Sequence, residues 1–180
     1  MNRFFTFIFL TISIVSFGQT KNNKGLIDSM KFVTLMPHCL DDEQPDSNSI
    51  YWKVVKLKLE VVDELIEIID DTTETKAIVR WFGGHWTVGD ISYNAIEEII
   101  HGIPTFDLLG IKYDENIGYS SYWFFVRSDI RNRQLFKEKL KKWYKKNKAN
   151  LVWITSEWNV SECFYHNPNN GYYESKSEEK

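Results

Sequence analysis

The 180-residue chain holds two cysteines, four prolines and nine glycines, and neither sign of charge dominates: 22 Lys and Arg stand against 25 Asp and Glu, a net charge of −3. Each shortage excludes something. Two cysteines allow one bridge at most, and neither has a Cys or His at zinc-type spacing except His38 beside Cys39, where adjacent residues seldom chelate well. A mildly acidic balance gives no general attraction to nucleic acid or to an anionic membrane. The acidic stretch Asp41-Asp42-Glu43-Gln44-Pro45-Asp46 lacks the alternating ligands, central Gly and closing Glu of an EF-hand. No Gly-x-Ser-x-Gly, no phosphate-binding glycine loop and no protease cysteine signature occurs. Catalysis is therefore not evident, and neither a cofactor nor a metal is implied.

What the chain does have is aromatic side chains: 12 Phe, 9 Tyr and 7 Trp, or 16%, within a composition that is 43% hydrophobic and 26% charged. That composition describes a globular domain. Residues 1–18 read as a secretory signal peptide, with Arg3 at the start, an apolar run from Phe4 to Phe17 and small residues at Ser16 and Gly18 before the cut. The run is shorter than the about 20 residues that span a bilayer. An uncleaved anchor is the alternative. Gln19 stands where a lipoprotein would carry Cys, so a soluble periplasmic or extracellular protein is expected, with no membrane insertion after cleavage. Removing 1–18 takes Arg3 and no acid, for a mature charge of −4. The remainder is one domain by length, able to bury about 70% of its unfolded surface. Cys39 and Cys163 either pair, closing a loop of about 125 residues worth at most about 5 kcal/mol on the chain-entropy model, or stay as two buried thiols.

The expected organisation is a signal peptide (1–18), an irregular lead-in (19–49), a helical domain (50–155) and a C-terminal segment (156–180), partly disordered and fraying beyond Tyr173. The strongest periodic signal is Tyr51–Ile69, where Trp52, Val55, Leu59, Val62, Leu65, Ile66 and Ile69 recur at steps of three and four, capped by Ser49. Ala77–Phe82 is either extended or a loop, closed by Gly83-Gly84. Thr87 opens a second helix: its hydroxyl can accept from the Asp90 amide while the Asp90 carboxylate reaches back. Val88, Ile91, Ala95, Ile96, Ile99 and Ile100 form its apolar face, Gly102 its C-terminal cap. A single helical turn is expected at 106–109. In the apolar run 119–127 strand and helix cannot be told apart. A third long helix runs from Ser128 or Asp129 to about Asn147, with Ile130, Phe136, Leu140, Trp143 and Tyr144 inward and a lysine-rich outer face. Leu151–Ile154 docks on the core. The fold class expected is mainly α: a compact helical domain of three or more amphipathic helices.

The stretch from Trp81 through Gly83-Gly84-His85-Trp86-Thr87-Val88-Gly89-Asp90-Ile91 to Ile100, taken with Tyr51-Trp52 and Asp71–Thr75, resembles a family of short uncharacterised exported bacterial proteins over residues 50–155. That resemblance implies no activity. The Thr87–Ile91 start also resembles the second helix of a HEAT-type repeat. No second copy stands at a 35 to 47 residue period, so only paired antiparallel helices are implied.

Two constellations carry chemistry. His85, Glu97, Glu98 and His101 are candidate acid–base residues, since Glu97 and His101 are four apart on a helix and Glu98 is three before His101. His101 is equally well placed to interact with a helix C-terminus. Tyr119, Tyr122, Trp123, Trp158 and Tyr172 are candidate binding residues, because rings offer apolar faces with polar tips. Lys137 to Lys148 offer a cationic face to an anionic envelope polymer or acidic protein. The function expected is an exported binding or structural protein of the bacterial envelope, partnered by an unidentified envelope component or protein, with a small hydrolase acting on an envelope or extracellular polymer as the alternative. A hydrolase requires His85, Glu97, Glu98 and His101 to converge in one cleft.

Overall fold

The computed structural model describes residues 23–38, 43–80, 83–118, 120–156 and 167–176. Residues 1–18, read above as a signal peptide, and Cys39, Cys163, Tyr119 and Trp158 lie outside them. The architecture is mixed α/β and not mainly α: about 52% of the described residues are helical and 16% extended, in two small sheets. The missed strands are short, and two of them lie in segments whose pattern was read as loop or tail.

The described residues begin with α1 (Lys24–Asp28), one turn of 3₁₀ helix and an extended lead through His38. That lead is packed: Ile27, Met30, Val33 and Met36 are all buried. The expected single helix at 51–69 is two, α2 (Ile50–Val55) and α3 (Val62–Glu67), divided by a 3₁₀ turn at Lys58–Glu60. Lys58 sits at φ 56°, a left-handed conformation that no α-helix continues through. The apolar stripe nevertheless survives the break, with Trp52, Val55, Val62, Leu65, Ile66 and Ile69 buried. Periodicity reported which side chains go inward but not that the axis changes between them.

Strands β1 (Glu74–Ile78) and β2 (His85–Thr87) form an antiparallel pair. Helix α4 (Val88–Ile99) follows directly, with the expected capping box: Thr87 Oγ1 accepts from the Asp90 amide at 3.2 Å and Asp90 Oδ2 accepts from the Thr87 amide at 3.0 Å. Its first turn lies against the end of α3. The Gly89 amide donates to Asp71 O at 2.9 Å, and a Cβ there would stand 2.1 Å from Ile69 O, so only glycine allows this approach. The helix does not end at Gly102. Ile100, at φ −128°, closes it and enters β3 (Ile100–His101), and Gly102 turns the chain afterwards at φ 75°.

After α5 (Thr105–Leu109) comes α6 (Ser120–Ser128), which makes residues 120–127 of the undecided aromatic run helix. Asp129 caps α7 (Ile130–Asn147), and Arg131 holds the Asp129 carboxyl down at about 2. Phe136, Leu140 and Tyr144 point inward as expected, but Ile130 is exposed and the unexpected inward residue is Arg133. Lys141 pairs with Glu67, Lys137 with Asp70 at 3.1 Å and Lys148 with Asp63 at 2.8 Å, so part of the lysine face is spent on fastening α7 to α3 and its flanks. Finally β4 (Leu151–Thr155) and β5 (Gly171–Ser175) join β3 in the order β3-β5-β4. The C-terminal strand is therefore the centre of a sheet, parallel to β3 and antiparallel to β4, and it runs past Tyr173 to Ser175.

Candidate functional site

Between Glu74 and Ile78 the β1–β2 ladder is irregular, with three residues of β1 opposite Trp86 alone. Such a bulge leaves backbone groups without ladder partners. The buried Thr75 hydroxyl fills the gap, donating to Trp86 O at 2.9 Å and accepting from the Ala77 amide at 3.2 Å. Thr75 and Ala77 face the core while Lys76 and Ile78 face outward. That outward face is one wall of a cleft of about 1030 Å³. The lead Thr34–His38 forms a second wall, and Ile117, Ser120, Trp123 and Phe124 a third. Gln44 holds the second wall by pairing with the His38 backbone in both directions, Nε2 donating to His38 O at 2.6 Å and Oε1 accepting from the His38 amide at 3.3 Å.

Indole rings form the base of the cleft. Trp86 Nε1 donates to Ile78 O at 3.2 Å, and the Trp86 and Trp123 rings meet edge to face at 4.7 Å. The apolar content is unusual for a surface. Ile78 is 64% exposed, Phe124 57% and Ile117 44%, and these three of the seven exposed large apolar side chains among the described residues converge here. Scattered exposed apolar residues are ordinary, whereas a concave cluster of them marks a binding site. The charged lining is Lys76, Arg80 and Glu43, a positive excess within a chain of net charge −3.

A smaller pocket of about 450 Å³ lies at the far end of α4 and includes Asn94, Glu97, Glu98, His101, Thr105 and Phe106. Tyr93 joins it from below, its hydroxyl donating to Glu97 Oε1 at 2.9 Å and sharing a short hydrogen bond with Thr105 Oγ1. Asn167 donates to Glu98 Oε2 at 3.0 Å. The His101 ring stacks on Tyr172 at 3.7 Å and 14°, and burial pushes its imidazole below the usual histidine range, with Glu174 opposing the shift.

Glu97, Glu98 and His101 are thus brought together. His85 is not: it lies on β2, exposed, with Nδ1 3.9 Å from Glu74, and it lines neither concavity. Of the candidate binding residues, Trp123 lines the large cleft, Tyr172 stands against His101, and Tyr122 is core, 2% exposed and packed on Tyr93 and Phe136. The aromatic run splits this way because helix α6 turns Tyr122 and Val126 inward and Phe124 outward. Among the described residues no group of three or more His, Cys, Asp or Glu is placed to hold a metal ion, and no helix is long and apolar enough to cross a membrane.

Sequence reasoning missed Lys76, Ile78, Ile117 and Trp86 in the cleft. The alternation Lys76, Ile78, Arg80 was the available signal, obscured by Val79-Arg80-Trp81-Phe82, which breaks the period. It also read Asp90 as a cap alone. Asp90 is buried between two guanidiniums, with Arg127 Nη2 2.9 Å from Oδ2 and Arg133 Nη2 2.7 Å from Oδ1, the second a charge contact without aligned hydrogen-bond geometry. Comparison of the chain with protein families, with curated proteins and with solved structures finds no match.

Proposed function

We propose that the chain is an exported, non-catalytic binding protein of the bacterial envelope, and that the cleft beside β1 holds an elongated, largely apolar molecule bearing one acidic group. The observation that carries this reading is the convergence of exposed Ile78, Ile117 and Phe124 on a pair of indole rings inside a volume of about 1030 Å³. Ligand cavities are commonly about 300–1000 Å³ and mostly apolar, with a few polar groups that fix orientation. Lys76 and Arg80, two residues either side of Ile78, supply positive charge at the mouth. An apolar body with an anionic end matches both.

The test is fluorescence titration with a dansylated undecanoate. Saturable binding is expected in the micromolar range or tighter, given about 0.3 kcal/mol per non-hydrogen atom for ligands of this size. Phe124→Asp should weaken it at least tenfold, and Lys76→Glu should reverse the preference for the acid over the amine of equal chain length. Leu135→Asp alters an exposed apolar residue outside the cleft and should change nothing. Binding that is absent, or that Phe124→Asp leaves intact, ends the proposal.

A small hydrolase is the second reading, supported by the shared pocket of Glu97, Glu98 and His101. Its pairing of His85 with them does not hold. Release of reducing ends or free carboxylates from envelope polymer, abolished by Glu97→Gln or Glu98→Gln, would favour it.

A further inference from the structure

We infer that Arg127, which does not line the cleft, is the positioning residue that sets the spacing of its two indole rings; this rests on the reading of the cleft as a ligand site. A single guanidinium joins three elements. Arg127 Nη2 donates to His85 O at 2.6 Å, at the start of β2, and to Asp90 Oδ2 at 2.9 Å, at the start of α4, while the group lies over the Trp123 ring at 5.0 Å. Trp123 meets Trp86 at 4.7 Å, and Trp86 is fixed to β1 through Ile78 O at 3.2 Å. A continuous chain of contacts therefore runs from a buried carboxylate to the two walls of the cleft that carry Ile78 and Phe124.

The fold does not depend on this group for its buried charge. Asp90 keeps the Thr87 amide and Arg133 whether or not Arg127 is present, and the Arg127 side chain is 31% exposed. What Arg127 alone supplies is geometric: Nη2 donates to one carbonyl and one carboxylate at once while the guanidinium plane lies over an indole ring. Lysine can also donate twice from one nitrogen but has no plane to lay over the ring, so at a stacked position the exchange is not conservative. Ligand affinity should accordingly respond to Arg127 although Arg127 touches no ligand.

The experiment pairs two readouts on Arg127→Lys. Close edge-to-face indoles give an exciton couplet in circular dichroism, which reports the Trp86–Trp123 geometry without ligand, and the dansylated undecanoate reports the site. The variant should keep its helical signal, lose the couplet and bind the probe roughly tenfold more weakly. In Arg127→Ala, millimolar methylguanidinium should restore the couplet and part of the affinity, a rescue that a merely structural lesion would not show. Wild-type binding that Arg127→Lys leaves untouched, or a couplet that persists in the variant, overturns the inference alone. A wild-type chain that leaves the probe unbound overturns the reading of the cleft and the inference with it.

Discussion

Replacing Asp90 with alanine should cost this protein a large share of its stability, and the size of the loss can be worked from three contacts. The side chain is fully buried, accepts from the Thr87 amide at 3.0 Å, and faces Arg127 at 2.9 Å and Arg133 at 2.7 Å. Losing the reciprocal half of the capping box, the bond from the Thr87 amide, costs about 1 kcal/mol. Arg127, partly exposed, can turn to water at little cost. Arg133 cannot, being 4% exposed, and leaving a buried charge without its partner costs about 3–5 kcal/mol. The total of about 4–6 kcal/mol compares with about 5–15 kcal/mol for a whole domain. In urea, with a slope of about 2 kcal/mol/M, the midpoint should fall by about 2–3 M. Arg133→Met should lose less, because Asp90 keeps Arg127 and the amide. The double variant Asp90→Asn with Arg133→Met removes both buried charges and should recover more than half of the loss. A shift below about 0.5 M for Asp90→Ala, or a double variant no better than the single, would refute the charge-burial argument.

Two further outcomes follow from geometry. Gly89→Ala puts a methyl 2.1 Å from Ile69 O and must separate α4 from the turn after α3, at a cost of about 2–3 kcal/mol or more, whereas Gly25→Ala in α1 meets nothing within 4 Å and should be neutral or stabilising; equal thermal midpoints for the two would refute the close approach. Burial lowers the folded-state pKa of His101 below its unfolded value near 6.5, so the unfolded chain binds more protons in that window and stability should fall as pH drops from 7 through about 6 toward the folded pKa. His101→Gln should flatten that part of the melting-temperature profile, and an unchanged slope would show that His101 does not contribute.

What the sequence made legible was local. The capping box at Thr87 and Asp90 needs only four neighbouring residues, and it is present as expected. The inward faces of 52–69 and of α7 followed from apolar spacing, because burial of a stripe is a periodic property. Lys58 in a left-handed conformation and Arg133 in the core obey no such period: one is imposed by how two short helices dock, the other by a carboxylate more than 40 positions earlier. The cleft was partly visible, since the aromatic run drew attention to Trp123 and Phe124. Its other walls come from residues 34–38 and 76–80, which sequence distance hides. His85 illustrates the converse error, its neighbourhood in sequence to the helix bearing Glu97 placing it at the opposite end of that helix in space.

The central position of β5 has a consequence in time as well as in space. Ile100 and His101 find their ladder partners in Tyr173 and Glu174, about 70 residues later, and among the described residues β4 pairs with that same segment. Closing so long a loop carries an entropic cost that no local contact offsets along the way. The two flanking strands of this sheet must wait, as exposed edges, for β5 to be delivered. A ribosome that releases the chain amino-terminus first therefore leaves the His101–Tyr172 stack open until residues 171–175 emerge, and that segment acts as the clasp of this sheet.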